Sequence, residues 1–158
     1  MKYVSFSDEP EITPDIFFMN EALKEALKAL EADEVPIGAI VVCNGRIIGR
    51  GHNLTERLND VTAHAEMQAL TAAANYLGGK YLKDCTLYVT MEPCVMCAGA
   101  SYWTQIGRIV FGAHDLQRGF SLLRQRITHP KTIILGGIRE TECSELVKNF
   151  FKSKRSKT

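Results

Sequence analysis

Two short stretches of the chain hold residues able to do chemistry together: His64-Ala65-Glu66 and Pro93-Cys94-Val95-Met96-Cys97. One imidazole and two thiols make three ligands for a cation such as zinc. That is one short of a closed tetrahedron, and an open position is what lets a bound metal hold water. Glu66 is the additional residue. Water acidified by a metal does hydrolytic work only when a nearby group takes its proton and passes it on, and a carboxylate beside a ligand suits that task. Taken singly, each residue has an ordinary reading. His64 could be a hydrogen-bonded core histidine, and Cys94 and Cys97 small buried hydrophobes. A C-x-x-C alone also serves as a redox pair or as half of a structural zinc site. Specificity comes from the two motifs occurring together, in this order, with proline directly before the first cysteine.

The elements that must position these residues are legible in the spacing. A helix is predicted over 63–77, with His64 and Glu66 in its first turn and Gly78-Gly79 ending it. Residues two apart on a helix point about 200° away from each other, so they converge only on a site beyond the helix end. A strand is predicted over 86–90. Pro93 then opens a further helix on which Cys94 and Cys97 share a face. Both ligand segments would thus present helix N-termini to the metal, where partial positive charge favours thiolates and an anionic oxygen. Two thiolates and a neutral histidine make a formally neutral zinc site. A hydroxide bound there would raise the proton affinity of Glu66 by repulsion.

The remaining pattern supplies the scaffold. A helix over 16–30 turns Phe18, Ala22, Leu23, Ala26, Leu27 and Leu30 inward, with Thr13 as N-cap and Pro14 at N1. Residues 37–43, Asn44-Gly45 and 46–48 read as a hairpin with a type I′ turn. Gly49, Gly51 and 53–59 are expected to leave it as a loop. A strand over 106–112, an irregular arginine-rich stretch over 113–130 and a strand over 131–135 follow. A helix over 141–152 closes the chain, with Leu146, Val147, Phe150 and Phe151 on its apolar side and Glu145 in a cap with Thr141 or Glu142. An initial hairpin followed by alternating helices and strands gives an α/β protein, a mixed sheet with helices on both faces. The metal is expected at the end of the 86–90 strand, where open α/β sheets place their ligands.

At 158 residues, 46% hydrophobic and 23% charged, the chain has the composition of a globular protein. The expectation is a single domain over 1–158, with 1–15 and 156–158 peripheral or frayed. No apolar run approaches the ~20 residues of a membrane span, and the N-terminus lacks the pattern of a secretory leader. Of five cysteines, Cys43, Cys85 and Cys143 read as core thiols, and a reducing, cytoplasmic location is the default. Net charge is +1, but residues 1–34 carry nine acids and three bases, whereas 104–158 carry eleven bases and four acids. The basic end, with Lys148, Lys152, Lys154, Arg155 and Lys157, is either a solvated helix end or a surface for a polyanion.

The order H-x-E…P-C-x-x-C is the known signature of zinc-dependent nucleobase deaminases. With it, the stretches 35–39, 51–53, 62–66, 87–100, 106–113 and 150–155 make the chain resemble the bacterial tRNA-specific adenosine deaminases of the cytidine deaminase-like superfamily. The resemblance spans roughly residues 17–155. It implies a three-layer α/β/α sandwich with a five-stranded sheet, a homodimer and one Zn²⁺ per subunit. It also implies conversion of adenosine to inosine at the first anticodon position of tRNA. His64, Cys94 and Cys97 match the zinc ligands, Glu66 the proton shuttle and Asn53 a residue that hydrogen-bonds the flipped base. Asp115, Arg118, Phe151, Lys152, Lys154 and Arg155 are the candidate RNA contacts. The chain departs from the family pattern in the short basic loop over 116–126, expected at the mouth of the site. It departs again in the bulky Tyr102-Trp103, expected in dimer or core packing.

Two other classes compete. A deaminase of a free base or nucleoside, of guanine or cytosine type, would share the metal site. A non-catalytic zinc module binding RNA or a partner would need a fourth ligand, nominally Cys43, Cys85 or Cys143, and leaves Glu66 without a role.

Overall fold

The computed structural model describes residues 12–157. Residues 1–11 of the segment expected to be peripheral, and Thr158, lie outside the described residues. The elements run α1 (Pro14–Glu31), β1 (Gly38–Cys43), β2 (Arg46–His52), α2 (Ala65–Leu77), β3 (Cys85–Met91), α3 (Val95–Thr104), β4 (Arg108–Ala113), a short 3₁₀ turn (Phe120–Leu122), β5 (Ile133–Leu135) and α4 (Glu140–Ser156). The sheet order is β2-β1-β3-β4-β5. β1 is antiparallel to both β2 and β3, while β3, β4 and β5 are parallel. This is the expected mixed five-stranded sheet. One face packs against α2, through Val41, Leu87, Val89 and Ile109 against Ala65, Ala69, Leu70 and Ala73. The other packs against α1 and α4, through Ile40, Tyr88 and Val110 against Met19, Ala22 and Cys143.

The local chemistry of the chain explains the element ends. Thr13 caps α1 with its side-chain oxygen, accepting from the Ile16 amide, and Pro14 follows at N1. Thr13–Asp15, expected to be peripheral, thus cap and begin α1. Asn44 and Gly45 both have positive φ, as a type I′ turn demands. Gly78 closes α2 in the left-handed conformation.

Four expectations change. β2 does not end at Ile48 but continues through Gly49 and Gly51 to His52. These glycines keep the strand because α2 lies directly on it. A Cβ on Gly49 would sit 2.4 Å from the Ala69 carbonyl, and one on Gly51 2.4 Å from that of Ala65. The inward face of α1 is rotated from the leucines toward Met19, Ala22, Ala26 and Ala29, leaving Leu27 and Leu30 exposed. Small residues win there because β1 approaches closely: a Cβ on Gly38 would meet the Ala22 carbonyl at 2.1 Å. α4 is longer than 141–152. It starts after Arg139, in the left-handed conformation and with no side-chain cap, so the Glu145 capping arrangement does not form. It extends through Lys154 and Arg155 to Ser156, so most of the basic tail is helical. Phe151 is exposed on it, while Cys143 and Phe150 are buried.

No helix among the described residues is long and apolar enough to cross a membrane.

Candidate metal centre and active site

His64 and Cys94 are the N-cap residues of α2 and α3, just outside the helices rather than in their first turns. Both have extended backbones, and neither side chain caps its own helix. The side chains turn instead toward each other. His64 Nδ1 lies 3.6 Å from Cys94 Sγ and 3.5 Å from Cys97 Sγ. The ligand atoms of His64, Cys94 and Cys97 all fall within 4.8 Å of one another. A tetrahedral zinc with nitrogen at ~2.1 Å and sulfur at ~2.3 Å has N···S edges of about 3.6 Å, so the donor set fits that ion in both chemistry and spacing. None of Cys43, Cys85 and Cys143 joins the cluster as a fourth ligand.

Protonation follows from this crowding. The hydrogen bond from Cys97, helped by His64, holds the Cys94 thiol far below its usual range. Cys97, against that thiolate and buried, is pushed far up. The His64 pKa is raised by its hydrogen bond to Cys94. A dication binds the deprotonated forms, so it would displace the proton that Cys97 keeps in its absence. Glu66 is buried in the first turn of α2. Its pKa is raised, chiefly because burial strips the carboxylate of water. Repulsion from Cys94 adds to this.

Asn53 follows β2 at the same end of the sheet, its amide donating to the Ile37 carbonyl at 3.1 Å. Its side chain is 6% exposed, and Oδ1 is a buried side-chain oxygen without a hydrogen-bond partner among the described residues. A loop asparagine satisfying its own turn would not leave that acceptor empty.

The 116–126 stretch does reach the site. Gly119 forms a β-bridge with Cys94. Gln117, Arg118, Gly119, Leu122 and Leu123 line a cavity of about 300 Å³ together with Cys94 and Val95. The residue that holds this loop is one the sequence reading passed over. Glu92 is 3% exposed and accepts from the Asp115 amide at 3.2 Å and the Ser121 amide at 2.9 Å. Glu34 does the same on the other side, accepting from the amides of Glu56 and Arg57 in the loop after Asn53. The available signal was an acid beside a proline with no base at helical spacing. Such an acid can be spent on backbone amides of a loop.

The candidate RNA contacts are placed unevenly. The Asp115 carboxylate accepts from the amides of Gln117 and Arg118, so it shapes the loop on which Arg118 stands. Phe151 and Lys152 are exposed on α4. Lys154 pairs with Asp33, tying the end of α4 to the α1–β1 connection. Arg155 lies on the same turn of α4. Trp103 is 76% exposed and stacks edge-on with Tyr102, which excludes core packing for it.

Comparison with known proteins agrees with this geometry. The family model for the cytidine and deoxycytidylate deaminase zinc-binding region matches residues 12–113. A tRNA-specific adenosine deaminase of Bacillus subtilis (strain 168) is 44% identical over 152 residues, covering 92% of this chain and 94% of the relative. A solved structure from work on A-to-I editing by tRNA:A34 deaminases superposes with a TM-score of 0.77 at 43% identity, covering 82% of this chain and 98% of that one. A guanine deaminase of Bacillus subtilis matches less of the fold, with a TM-score of 0.59 and 39% identity over 62% of this chain and 63% of that one. With this match over most of its length, the chain belongs to the zinc-binding cytidine and deoxycytidylate deaminase family, and within it to the tRNA-specific adenosine deaminases.

Proposed function

We propose that the protein hydrolytically deaminates adenosine to inosine at the first anticodon position of tRNA. The carrying observation is the three-ligand cluster at two helix N-termini with the buried carboxyl of Glu66 beside it. His64, Cys94 and Cys97 would hold one Zn²⁺. When bound, that ion lowers the pKa of a water toward about 7. Glu66 takes the proton of the attacking water and delivers it to N1 of adenine as the oxygen adds at C6. Glu66 then passes the proton of the new C6 hydroxyl to the C6 amine, the C6–N bond breaks, and ammonia leaves with inosine as product. Burial raises the affinity of Glu66 for that proton, in the direction a shuttle between the two steps needs. Asn53 Oδ1 accepts a hydrogen bond from the flipped nucleoside, which supplies the missing partner. A stacked base could not enter such a site, so the substrate is a splayed nucleotide of a loop.

The 116–126 loop borders the entry, where the exposed Arg118 would meet a phosphate and Asp115 holds the backbone. The exposed Phe151 and Lys152, with Lys154 and Arg155, extend that surface along α4. Glu66 distinguishes this reading from a non-catalytic zinc module, which gives it nothing to do. The protein acts as one domain, in the cytoplasm, where tRNA is. It acts as a homodimer, with the exposed Val95 and Trp103 of α3 against a second copy. Light scattering on the protein and on Trp103→Glu tests the dimer, which the substitution should weaken.

The deciding experiment is a substrate panel on zinc-loaded protein: an anticodon stem-loop with adenosine in the first anticodon position, then free adenosine, adenine, guanine, cytosine and cytidine. Inosine in the stem-loop alone supports the proposal. Turnover of guanine with an untouched stem-loop would transfer the protein to the free-base deaminases.

A further inference from the structure

Two thiols at the far end of the sheet take no part in the site described above. Cys43 is the last residue of β1 and Cys85 the first of β3, and they are direct partners across the antiparallel ladder. Direct partners place their side chains on the same face, here the one covered by α2. The type of pairing is fixed by where the backbone bonds of Cys85 go. Its amide donates to the Leu82 carbonyl, and its carbonyl accepts from the Gly107 amide. Both groups therefore point away from β1. Cys43 in turn is paired with Arg46 across the two-residue turn, so its own backbone groups face β2. Cys43 and Cys85 thus form a non-hydrogen-bonded pair, the kind whose Cα atoms approach to about 4.5 Å. That lies inside the window a disulfide requires, ~4.4–6.8 Å.

The pair is also reachable. A cavity of about 360 Å³ at this end is lined by Cys43, Cys85, Leu77, Tyr81, Leu82, Lys83 and Asp84. Cys43 is half-buried on its wall, while Cys85 lies behind it at 2% exposure. Burial and the neighbouring Cys43 sulfur push the Cys85 thiol up to about 12, which leaves Cys43 as the first to react. The third core thiol, Cys143, packs on the opposite face of the sheet and has no such partner there.

We propose that Cys43 and Cys85 form a thiol–disulfide exchange site, at which a small-molecule disulfide converts the dithiol into a cross-strand disulfide. Cys43, as its thiolate, attacks one sulfur of the small disulfide. One thiol leaves with the proton Cys43 gave up, and a mixed disulfide remains on Cys43. Cys85 then attacks the Cys43 sulfur, and the second small thiol leaves with the proton of Cys85. Two protein thiols are oxidised, and one small disulfide is reduced to two thiols. The site is separated from Cys94 by the length of β3, roughly 20 Å for its seven residues. The metal ligands are therefore not the thiols exchanged.

The test uses zinc-loaded protein incubated with oxidised glutathione, then alkylated and examined by intact mass, peptide mapping and metal analysis. The expected result is a loss of two hydrogen masses, a linked Cys43–Cys85 peptide, one zinc retained per chain and reversal by dithiothreitol. Cys85→Ser should stop at a glutathione adduct on Cys43. Persistence of that adduct in the unsubstituted protein would overturn the proposal, because the pair would then fail to close. So would full alkylation of Cys43 and Cys85 after treatment, or a Cys94–Cys97 link formed with loss of zinc in their place.

Discussion

His64 and Cys94 hold the same station on different helices: each is an N-cap whose side chain leaves its own helix uncapped. An N-cap histidine or cysteine gives up the ~1 kcal/mol that serine or aspartate would supply there. What the fold gains is a metal site facing the positive ends of two helix dipoles, which favours thiolate ligands. His64→Asp and Cys94→Ser are better capping residues by type. Both variants should fold at least as well without metal and bind zinc far more weakly, as read by thermal melts and a chelator competition.

Glu66 is the group whose removal should separate binding from chemistry. Glu66→Gln keeps the shape but cannot move a proton. Loss of a positioned acid–base group costs about 10²–10⁴-fold in rate. Turnover of the stem-loop should fall by at least that range, with one zinc per chain retained and stem-loop affinity kept. A variant with undiminished turnover would remove Glu66 from the mechanism.

Much of this site was legible before the fold was known, because its parts are local. The motif residues, the Thr13-Pro14 start, the Asn44-Gly45 turn and Gly78 each act within a few positions of the chain. What the sequence hid was set by partners far away in it. Gly49 and Gly51 look like loop residues until α2 is laid over them. The leucines of α1 look like its core face until Gly38 draws the alanine stripe inward. Glu34 and Glu92 look like surface acids, because the amides they receive lie more than twenty residues downstream.

Glu92 and Gly119 make the next prediction. A Cβ on Gly119 would fall 2.4 Å from the Glu92 carboxyl, so the loop can cross the metal-ligand segment only with glycine there. Gly119→Ala should displace the loop, and Glu92→Gln should set an amide NH₂ against one of the backbone N–H groups it now receives. Each leaves a buried group unpaired, at a cost of about 1–3 kcal/mol. Both should raise KM for the stem-loop more than they lower zinc content. An unchanged KM with a lower melting temperature would restrict Glu92 to stability.

Gly51 couples strand packing to the metal ligand. Its missing Cβ makes room for the carbonyl of Ala65, the residue directly after His64. Gly51→Ala should cost about 1–3 kcal/mol through overpacking. It should also push the start of α2 outward and weaken zinc retention. Gly45→Ala, in the exposed turn where nothing lies within 4 Å, should lose stability through backbone strain at φ +73 and leave zinc retention unchanged.

The ion pair on the other face of the sheet sets a pH limit. Asp15 accepts from Tyr88 at 2.7 Å and from Arg108 at 3.1 Å. Burial works against its charge, but these bonds outweigh burial and hold its carboxyl below the usual range. A carboxyl whose folded pKa lies below its unfolded value stabilises the fold at pH above the unfolded value, about 4. That contribution is lost as pH falls through the lower folded value. Urea melts of Asp15→Asn should therefore show about 1 kcal/mol less stability at neutral pH. The gap should close below pH ~4. A gap that persisted in acid would assign the effect to packing.

The basic end of α4 tests the RNA surface. Lys154 reaches Asp33, which precedes the Glu34 that organises the loop after Asn53. Each phosphate contact releases condensed counterion and steepens the fall of log K with log salt by about 0.7–0.9. Lys152→Gln with Lys154→Gln should therefore weaken stem-loop binding and flatten that slope by roughly 1–2. Turnover at saturating substrate should hold, because neither lysine adjoins Glu66. The Lys154–Asp33 pair is open to solvent and adds little to the fold, so the binding change would not be a folding defect in disguise. An unchanged slope would return the tail to the role of a solvated helix end, and the entry loop bearing Arg118 would have to hold the RNA by itself.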